Sequence, residues 1–261
     1  MAQPPRRRPN SKKRRRGRHP GLYKALSAAL ILAAVVAACL IFFRVSQIEV
    51  VGNSRYTAEE IIDVAGVKTG NNLIAVRAAR VSRELQGNLP YIRTVSVRRQ
   101  LPGTLTIVVT ESRAVAAVNR EGGWWLMDKD GKLLEQVEGP GDCPVVTGLT
   151  PLAPAVGTYL SAGVEKEEQV EWLRQLLTAL EENGLADRLD SVDLSEDYMV
   201  RFGLDGRFTV QISPALEKGM AYWIRRLPGC LDDSRVRANQ NQRYTVSIMD
   251  DTNIRFIPVE S

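Results

Sequence analysis

The alternation of apolar and polar positions changes character along the chain, and the sharpest change comes first. Ala25 to Phe43, ALSAALILAAVVAACLIFF, is a run of 19 residues without a charge or a proline. Wound as a helix at about 1.5 Å per residue it reaches roughly 28 Å, close to the roughly 30 Å hydrocarbon thickness of a bilayer. A core helix of a water-soluble protein carries a polar stripe at every turn, whereas this run offers only Ser27 and Cys39. The pattern predicts a membrane-spanning helix. Val36-Ala37-Ala38-Cys39 also fits the loose lipoprotein cleavage pattern, but the apolar run continues past it through Leu40, Ile41, Phe42 and Phe43, which favours a retained anchor.

Beyond the anchor the periodicity becomes that of a mixed α+β protein. Ile48, Val50 and Val51 interleaved with Gln47 and Glu49 predict a strand that ends at the turn Gly52-Asn53. Thr57-Ala58-Glu59-Glu60 is a capping box opening a helix through Ala65, stopped by Gly66. Val81, Leu85 and Leu89, four apart, mark a second helix over Arg77 to Asn88 before Pro90. Ile92 to Leu101 and Leu105 to Glu111 are rich in β-branched residues and are joined by Leu101-Pro102-Gly103-Thr104. The order is β-α-α-β-β.

Further on, Trp124 to Met127 and Lys132 to Leu134 read as a hairpin around Asp128-Lys129-Asp130-Gly131. This run has too few further oxygen ligands for a calcium loop and reads as a turn. Pro140, Pro144, Pro151 and Pro154 predict a long loop or linker. Glu165 to Asn183 then carries the stripe Val170, Leu173, Leu176, Leu177 and Leu180 of an amphipathic helix. A strand at Ser191 to Leu194 and a hairpin from Met199 to Ile212 follow. Val200, Phe202 and Leu204 share a face with Phe208, Val210 and Ile212 only if the loop holds three residues or a bulge. Ser213-Pro214 is expected to cap a helix bearing Leu216, Met220, Ile224 and Leu227 that stops at Pro228-Gly229. Tyr244 to Met249 and Asn253 to Val259 close the chain as two strands.

Charge sets the orientation. Ten Lys or Arg and no acid stand within residues 1–24, a balance that holds such a segment in the cytoplasm and sends the remainder outside. The chain's net charge of +5 misleads about the exported part. Removing the 11 basic residues up to Arg44 from the chain's 35 leaves 24 against 30 acidic ones, a net charge near −6, which argues against nucleic acid as its partner. The basic tail is a disordered anchor flank that favours anionic headgroups.

Reaction chemistry finds little to work with. The one histidine, His19, lies in the tail, so an exported Ser-His-Asp or Cys-His set is excluded. Cys39, Cys143 and Cys230 are scattered, and the spacing leaves open whether the last two pair or remain buried thiols. Ser213 and Lys218 are five apart, but Ser213 is better explained as a cap. Neither a catalytic group, a cofactor nor a metal is expected.

The spaced features FRVSQIEVVGNSRYTAEEI, NLIAVR and LPYIRTVSVRRQLPGTLTIVVTES, over Phe43 to Val115, resemble the POTRA domain of the FtsQ/DivIB cell-division family. One departure is Glu111-Ser112-Arg113-Ala114, where the family shows Glu-Arg followed by a proline. The resemblance implies a basic tail over 1–24, a membrane helix over 25–43, a POTRA domain over 44–114 and a mixed α+β β-domain over 115–261. It implies a single-pass protein with a cytoplasmic N-terminus at the division septum, a non-enzymatic scaffold that links FtsB/DivIC-type and FtsL-type proteins and extends to septal wall synthases. The family's partner adds a strand to the last strand of the β-domain, here Thr252, Asn253, Ile254, Arg255, Phe256, Ile257 and Pro258. Ile254 and Phe256 serve the core equally well, which makes Arg255 and Ile257 the better contact candidates. A second surface is expected on the POTRA unit around Arg77 to Glu84 and Thr106 to Thr110. The alternative from another class is a chaperone-like or peptidoglycan-binding module using Trp124, Trp125 and Trp223 as an aromatic platform.

Overall fold

A computed structural model describes residues 20–233, 236 and 241–259. Most of the basic tail, His19 included, therefore lies outside the described residues. The first helix, α1, spans Pro20–Phe42 and starts five residues before the uncharged run. Its segment Gly21–Cys39 is long and apolar enough to cross a membrane, and none of it is buried against the rest of the chain.

The next elements are β1 (Gln47–Val51), α2 (Ala58–Ala65), α3 (Ala78–Asn88), β2 (Ile92–Gln100) and β3 (Thr104–Glu111). They form a three-stranded sheet in the order β1-β3-β2. β1 runs parallel to β3, with Gln47 opposite Thr104, and β2 runs antiparallel to β3. The crossover through two helices brings β1 back beside β3, so Thr106 to Thr110 lies on the central strand. Ile61, Val81, Leu85, Ile92, Leu105 and Ile107 fill the core between helices and sheet. α2 starts as its capping box requires: the Thr57 hydroxyl accepts the Glu60 N–H at 3.2 Å and the Glu60 carboxylate accepts the Thr57 N–H at 2.8 Å. Gly66 ends it in the left-handed region at φ 64°.

The second sheet has nine strands among the described residues. These are β4 (Ala116–Arg120), β5 (Gly123–Met127), β6 (Leu133–Val137), β7 (Val145–Thr147), β8 (Leu189–Asp193), β9 (Val200–Leu204), β10 (Phe208–Ile212), β11 (Tyr244–Ile248) and β12 (Arg255–Pro258). Their order is β12-β11-β10-β9-β8-β7-β4-β5-β6. α4 (Glu167–Glu182) and α5 (Met220–Leu231) pack on each other and on this sheet through Leu173, Leu176, Leu180, Trp223, Ile224 and Leu227. The β9–β10 loop holds three residues, Asp205, Gly206 and Arg207, because Leu204 faces Phe208 across the ladder; all six apolar side chains then point into the core.

Two expectations need correction. The proline-rich segment does not remain a loop, since β7 inserts three residues between β4 and β8, parallel to both. α5 begins at Met220, not at Ser213-Pro214. The Asp251 carboxylate takes the N–H groups of Glu217 at 2.8 Å and Lys218 at 3.2 Å, and Gly219 adopts φ 73°, so helical geometry starts only after it. Pro228 then lies inside α5. A proline in a helix interior costs about 3 kcal/mol or more, and burying Leu227 and Leu231 on the flanks offsets this at roughly 1.5–3 kcal/mol each.

The two cores are joined by polar contacts. The Tyr91 hydroxyl donates to Glu135 Oε1 at 2.6 Å, Arg55 pairs with Glu135 at 3.2 Å, and the Arg55 guanidinium stacks 3.8 Å above the Tyr91 ring. Burial, reinforced by the Glu135 contact, pushes the Tyr91 phenol well above its ordinary range. Arg93 pairs with Asp130 at 2.6 Å, and Lys132, only 8% exposed, donates to the Ile92 carbonyl at 3.3 Å. Burial lowers the Lys132 pKa, against the pull of Asp128. The Asp128 carboxylate also accepts from Ser112 Oγ at 2.6 Å and from the N–H groups of Asp130 and Lys132, which makes the Asp-Lys-Asp-Gly run a self-capped turn.

Thr57→Ala removes one half of the capping box and is expected to weaken α2 locally by about 1 kcal/mol. Hydrogen exchange of the Glu60 and Ile61 amides checks this, with roughly fivefold faster exchange expected and α4 amides unchanged.

Candidate partner-binding edge

β12 ends the nine-stranded sheet, and among the described residues its only strand neighbour is β11. The antiparallel register places Ser247 opposite Arg255, Val246 opposite Phe256, Thr245 opposite Ile257 and Tyr244 opposite Pro258. One residue further, the Val259 N–H donates to the Arg243 carbonyl at 3.0 Å. Hydrogen-bonded and non-bonded pairs alternate in such a ladder, so Arg255 and Ile257 turn their backbone groups toward β11 while Phe256 and Pro258 turn theirs outward. Phe256 presents both an N–H and a C=O on this side, and Pro258 presents a carbonyl alone. Proline is admissible here because its missing N–H would have faced away from the sheet.

Side chains follow the opposite alternation. Phe256 is half-buried and lies edge-on to Phe208, at 6.5 Å, and to Tyr244, at 6.1 Å; those two rings stack at 6.0 Å. The Arg207 guanidinium lies 4.8 Å from the Phe208 ring and donates to the Gln242 carbonyl at 2.9 Å and the Val236 carbonyl at 2.6 Å. Ile254 packs against the same core. A cleft of about 460 Å³ opens beside this cluster, lined by Cys230, Asp233, Val236, Tyr244, Ile254 and Phe256 among others. On the opposite face Ile257 is 51% exposed, and Arg255 reaches back to Asp250 at 3.1 Å.

Thr252 and Asn253 are not on the strand. They form the β11–β12 turn, where the Asp250 carboxylate accepts the Thr252 N–H at 3.0 Å, the Asn253 N–H at 3.3 Å and the Thr252 hydroxyl. The hydroxyl bond first, then the two N–H groups and Arg255, hold the Asp250 pKa below its ordinary value. Asp251 anchors the same turn to the start of α5, with the Lys218 ammonium 2.9 Å from its carbonyl. The seven candidate residues thus divide into a turn, an approach residue and a four-residue strand. Alternation in the sequence separates the two faces of 254–258, whereas Arg207, Phe208, Tyr244 and the α5 end join the site only through the parallel β10–β11 pairing. The one signal for them was the aromatic at the start of each strand.

The far end of the sheet differs. Leu133 on β6 gives its N–H to Thr158 at 2.7 Å and takes the Gly157 N–H at 2.7 Å, and Glu135 is engaged by Tyr91 and Arg55. The chain itself thus covers the Leu133 end of that edge. Cys39, Cys143 and Cys230 are all free thiols, so the pairing left open by the sequence is not made.

Residues 43–112 match the model of the POTRA domain, FtsQ-type. The cell division protein DivIB of Clostridium acetobutylicum is 28% identical over 156 residues, 59% of this chain and 61% of that protein. FtsQ of Geotalea daltonii is 31% identical over 111 residues, 42% of this chain and 40% of that protein. FtsQ of Anaeromyxobacter sp. (strain K) is 33% identical over 173 residues, 60% of this chain and 58% of that protein. The matches thus span between 40% and 61% of the length of these curated relatives. Among solved structures, the major extracytoplasmic domain of DivIB from Geobacillus stearothermophilus is similar over 93% of its length and 50% of this chain, at 14% identity and a TM-score of 0.28.

The lowered Asp250 pKa gives a signed pH dependence. Its contribution to the turn is fully present above the ordinary carboxylate pKa near 3.8 and is lost as pH falls through the lower folded value. Protection factors of β12 amides are therefore expected to stay constant from neutral pH to above that ordinary value and to fall only below it. In Asp250→Ala they are low throughout.

Proposed function

The chain belongs to the FtsQ/DivIB family of cell-division proteins, and from that premise we propose that it acts as a non-enzymatic membrane scaffold of the division septum. In this reading α1 is a single-pass anchor, the basic tail stays in the cytoplasm, and the units over 44–114 and 115–261 stand outside. A partner of the FtsB/DivIC type adds a strand to Thr252–Pro258, an FtsL-type protein joins the same assembly, and the assembly extends to septal wall synthases.

The observation that carries the reading is the contrast between the two ends of the nine-stranded sheet. β6 is bonded at Leu133 to residues 157 and 158 and its Glu135 side chain is held by Tyr91 and Arg55, whereas Phe256 turns an N–H and a C=O away from β11. An uncovered edge favours pairing with another chain, and an incoming strand gains main-chain bonds there. Pro258 limits how far the new ladder runs, and Arg255 and Ile257 are the side chains left exposed next to it. The wall-binding alternative draws on Trp124, Trp125 and Trp223. Trp125 and Trp223 are core residues, which leaves weight on the scaffold reading.

A titration of the detergent-solubilised chain with the exported segment of its cognate FtsB/DivIC-type protein tests this. Removal of residues from Thr252 onward is expected to abolish binding, and Ile257→Asp to weaken it by about 1–3 kcal/mol, roughly fivefold or more. Unchanged affinity in Ile257→Asp, with β11 amides still protected, would remove Ile257 from the contact; unchanged affinity in the truncation would sink the edge-pairing mode.

A further inference from the structure

The end of the first sheet unit nearest α1 carries a groove that edge pairing at β12 leaves unused. α1 ends at Phe42, and Phe43 is already packed against the first core. The Phe43 carbonyl accepts the Leu73 N–H at 2.9 Å, the Val45 N–H donates to Asn71 at 2.8 Å, and the Val45 carbonyl accepts Gly70 at 2.7 Å. Arg44 bridges to Asn72. Loop 70–73 is therefore bonded to the three residues that follow a helix long enough to span a bilayer, with no linker between them.

Beside that loop lies a cleft of about 320 Å³, lined by Asn71, Asn72, Val76, Arg77, Arg80 and Val81 among others. No carboxylate lines it. Arg77 and Arg80 are both exposed, and neither is held in an ion pair. Arg55, Arg113 and Arg255 pair with Glu135, Asp187 and Asp250, whereas Arg83, Arg98, Arg225 and Arg226 are exposed without an ion pair among the described residues; what sets Arg77 and Arg80 apart is their place in a concave site beside the end of α1. Arg99 fixes the loop from the sheet side by donating to the Leu73 carbonyl at 3.1 Å and to that of Val76. The same end displays two apolar side chains, Ile74 at 55% exposure and Leu101 at 66%. Leu101 lies in the β2–β3 turn, whose Gly103 carbonyl accepts the N–H groups of Ser46 at 2.8 Å and Gln47 at 3.3 Å.

Unpaired guanidiniums in a concave site together with exposed aliphatic side chains, hydrogen-bonded to the exit of a spanning helix, match the chemistry of a lipid headgroup layer. The cations meet phosphate and the aliphatic groups meet the acyl boundary. We propose that this cleft holds the headgroup of an anionic phospholipid from the leaflet through which α1 emerges, with Arg77 and Arg80 on the phosphate and Ile74 and Leu101 dipping into the interface. The inference rests on the reading of α1 as a membrane span.

The test uses the full chain in lipid nanodiscs, with Cys39, Cys143 and Cys230 replaced by serine and a fluorophore on Ile74→Cys. Quenching is compared between phosphatidylglycerol and phosphatidylcholine carrying the same headgroup nitroxide. Preferential quenching by phosphatidylglycerol is expected, equivalent to enrichment of roughly fivefold for each arginine. Arg77→Gln with Arg80→Gln should bring the two lipids to equality, and a fluorophore on Ile257→Cys should show no preference. Equal quenching by both lipids in the unsubstituted groove, a comparison that needs no arginine variant to fold, overturns the proposal; so does a preference that survives the double substitution. A chain that fails to co-fractionate with the discs overturns the membrane span itself, an outcome separate from equal quenching in loaded discs.

Discussion

The last strand of an open sheet leaves a row of N–H and C=O groups without partners, and the nine-stranded sheet meets that constraint in opposite ways at its two ends. At β6 the chain bonds residues 157 and 158 to the Leu133 end of the edge, and the Glu135 side chain makes contacts with Tyr91 and Arg55. Those side-chain contacts join the two cores. At β12 the chain adds only a proline, at a position where the absent N–H faces outward. What remains open is short, flanked by an aromatic cluster on one face and by Arg255 and Ile257 on the other.

The middle of the sheet explains how both ends can belong to one layer. β7 has only three residues, yet it pairs in parallel with β4 on one side and β8 on the other and so fuses the β4–β6 meander with the β8–β10 meander. Parallel pairing requires a crossover, and the segment from 148 through α4 supplies it while covering the inner face. α5 performs the same service between β10 and β11. Both crossover helices lie on the same side, which leaves Thr209, Arg255 and Ile257 on a polar, open face.

What the sequence made legible follows from how local each determinant is. The capping box at Thr57 and Glu60, the stripe of α4 and the three-residue β9–β10 loop depend on residues within a few positions of one another, and each is found as read. β7 is not legible because Val145 and Val146 sit among prolines, too few to show alternation; only their neighbours in space make them a strand. The start of α5 departs from its local signal for a related reason. Ser213-Pro214 is a sound local signal, but Asp251, more than thirty residues away, takes the backbone donors a helix would have used. Of the candidate edge, the order of faces was legible, while Arg207 and Tyr244 reach it only through the register of β10 and β11.

Phe43 carries a consequence beyond packing. Because the residue directly after α1 is already part of the first core, there is no slack between that helix and the first unit. A flexible tether would let those units explore a hemisphere whose volume grows with its length, diluting any surface they carry. Here the polar junction at Tyr91, Glu135, Arg93 and Asp130 extends that restraint to the second unit. On the proposed reading of α1 as a membrane span, the open edge then stays in a narrow layer above the bilayer, and the encounter with a ligand anchored in the same membrane becomes a search over an area instead of a volume.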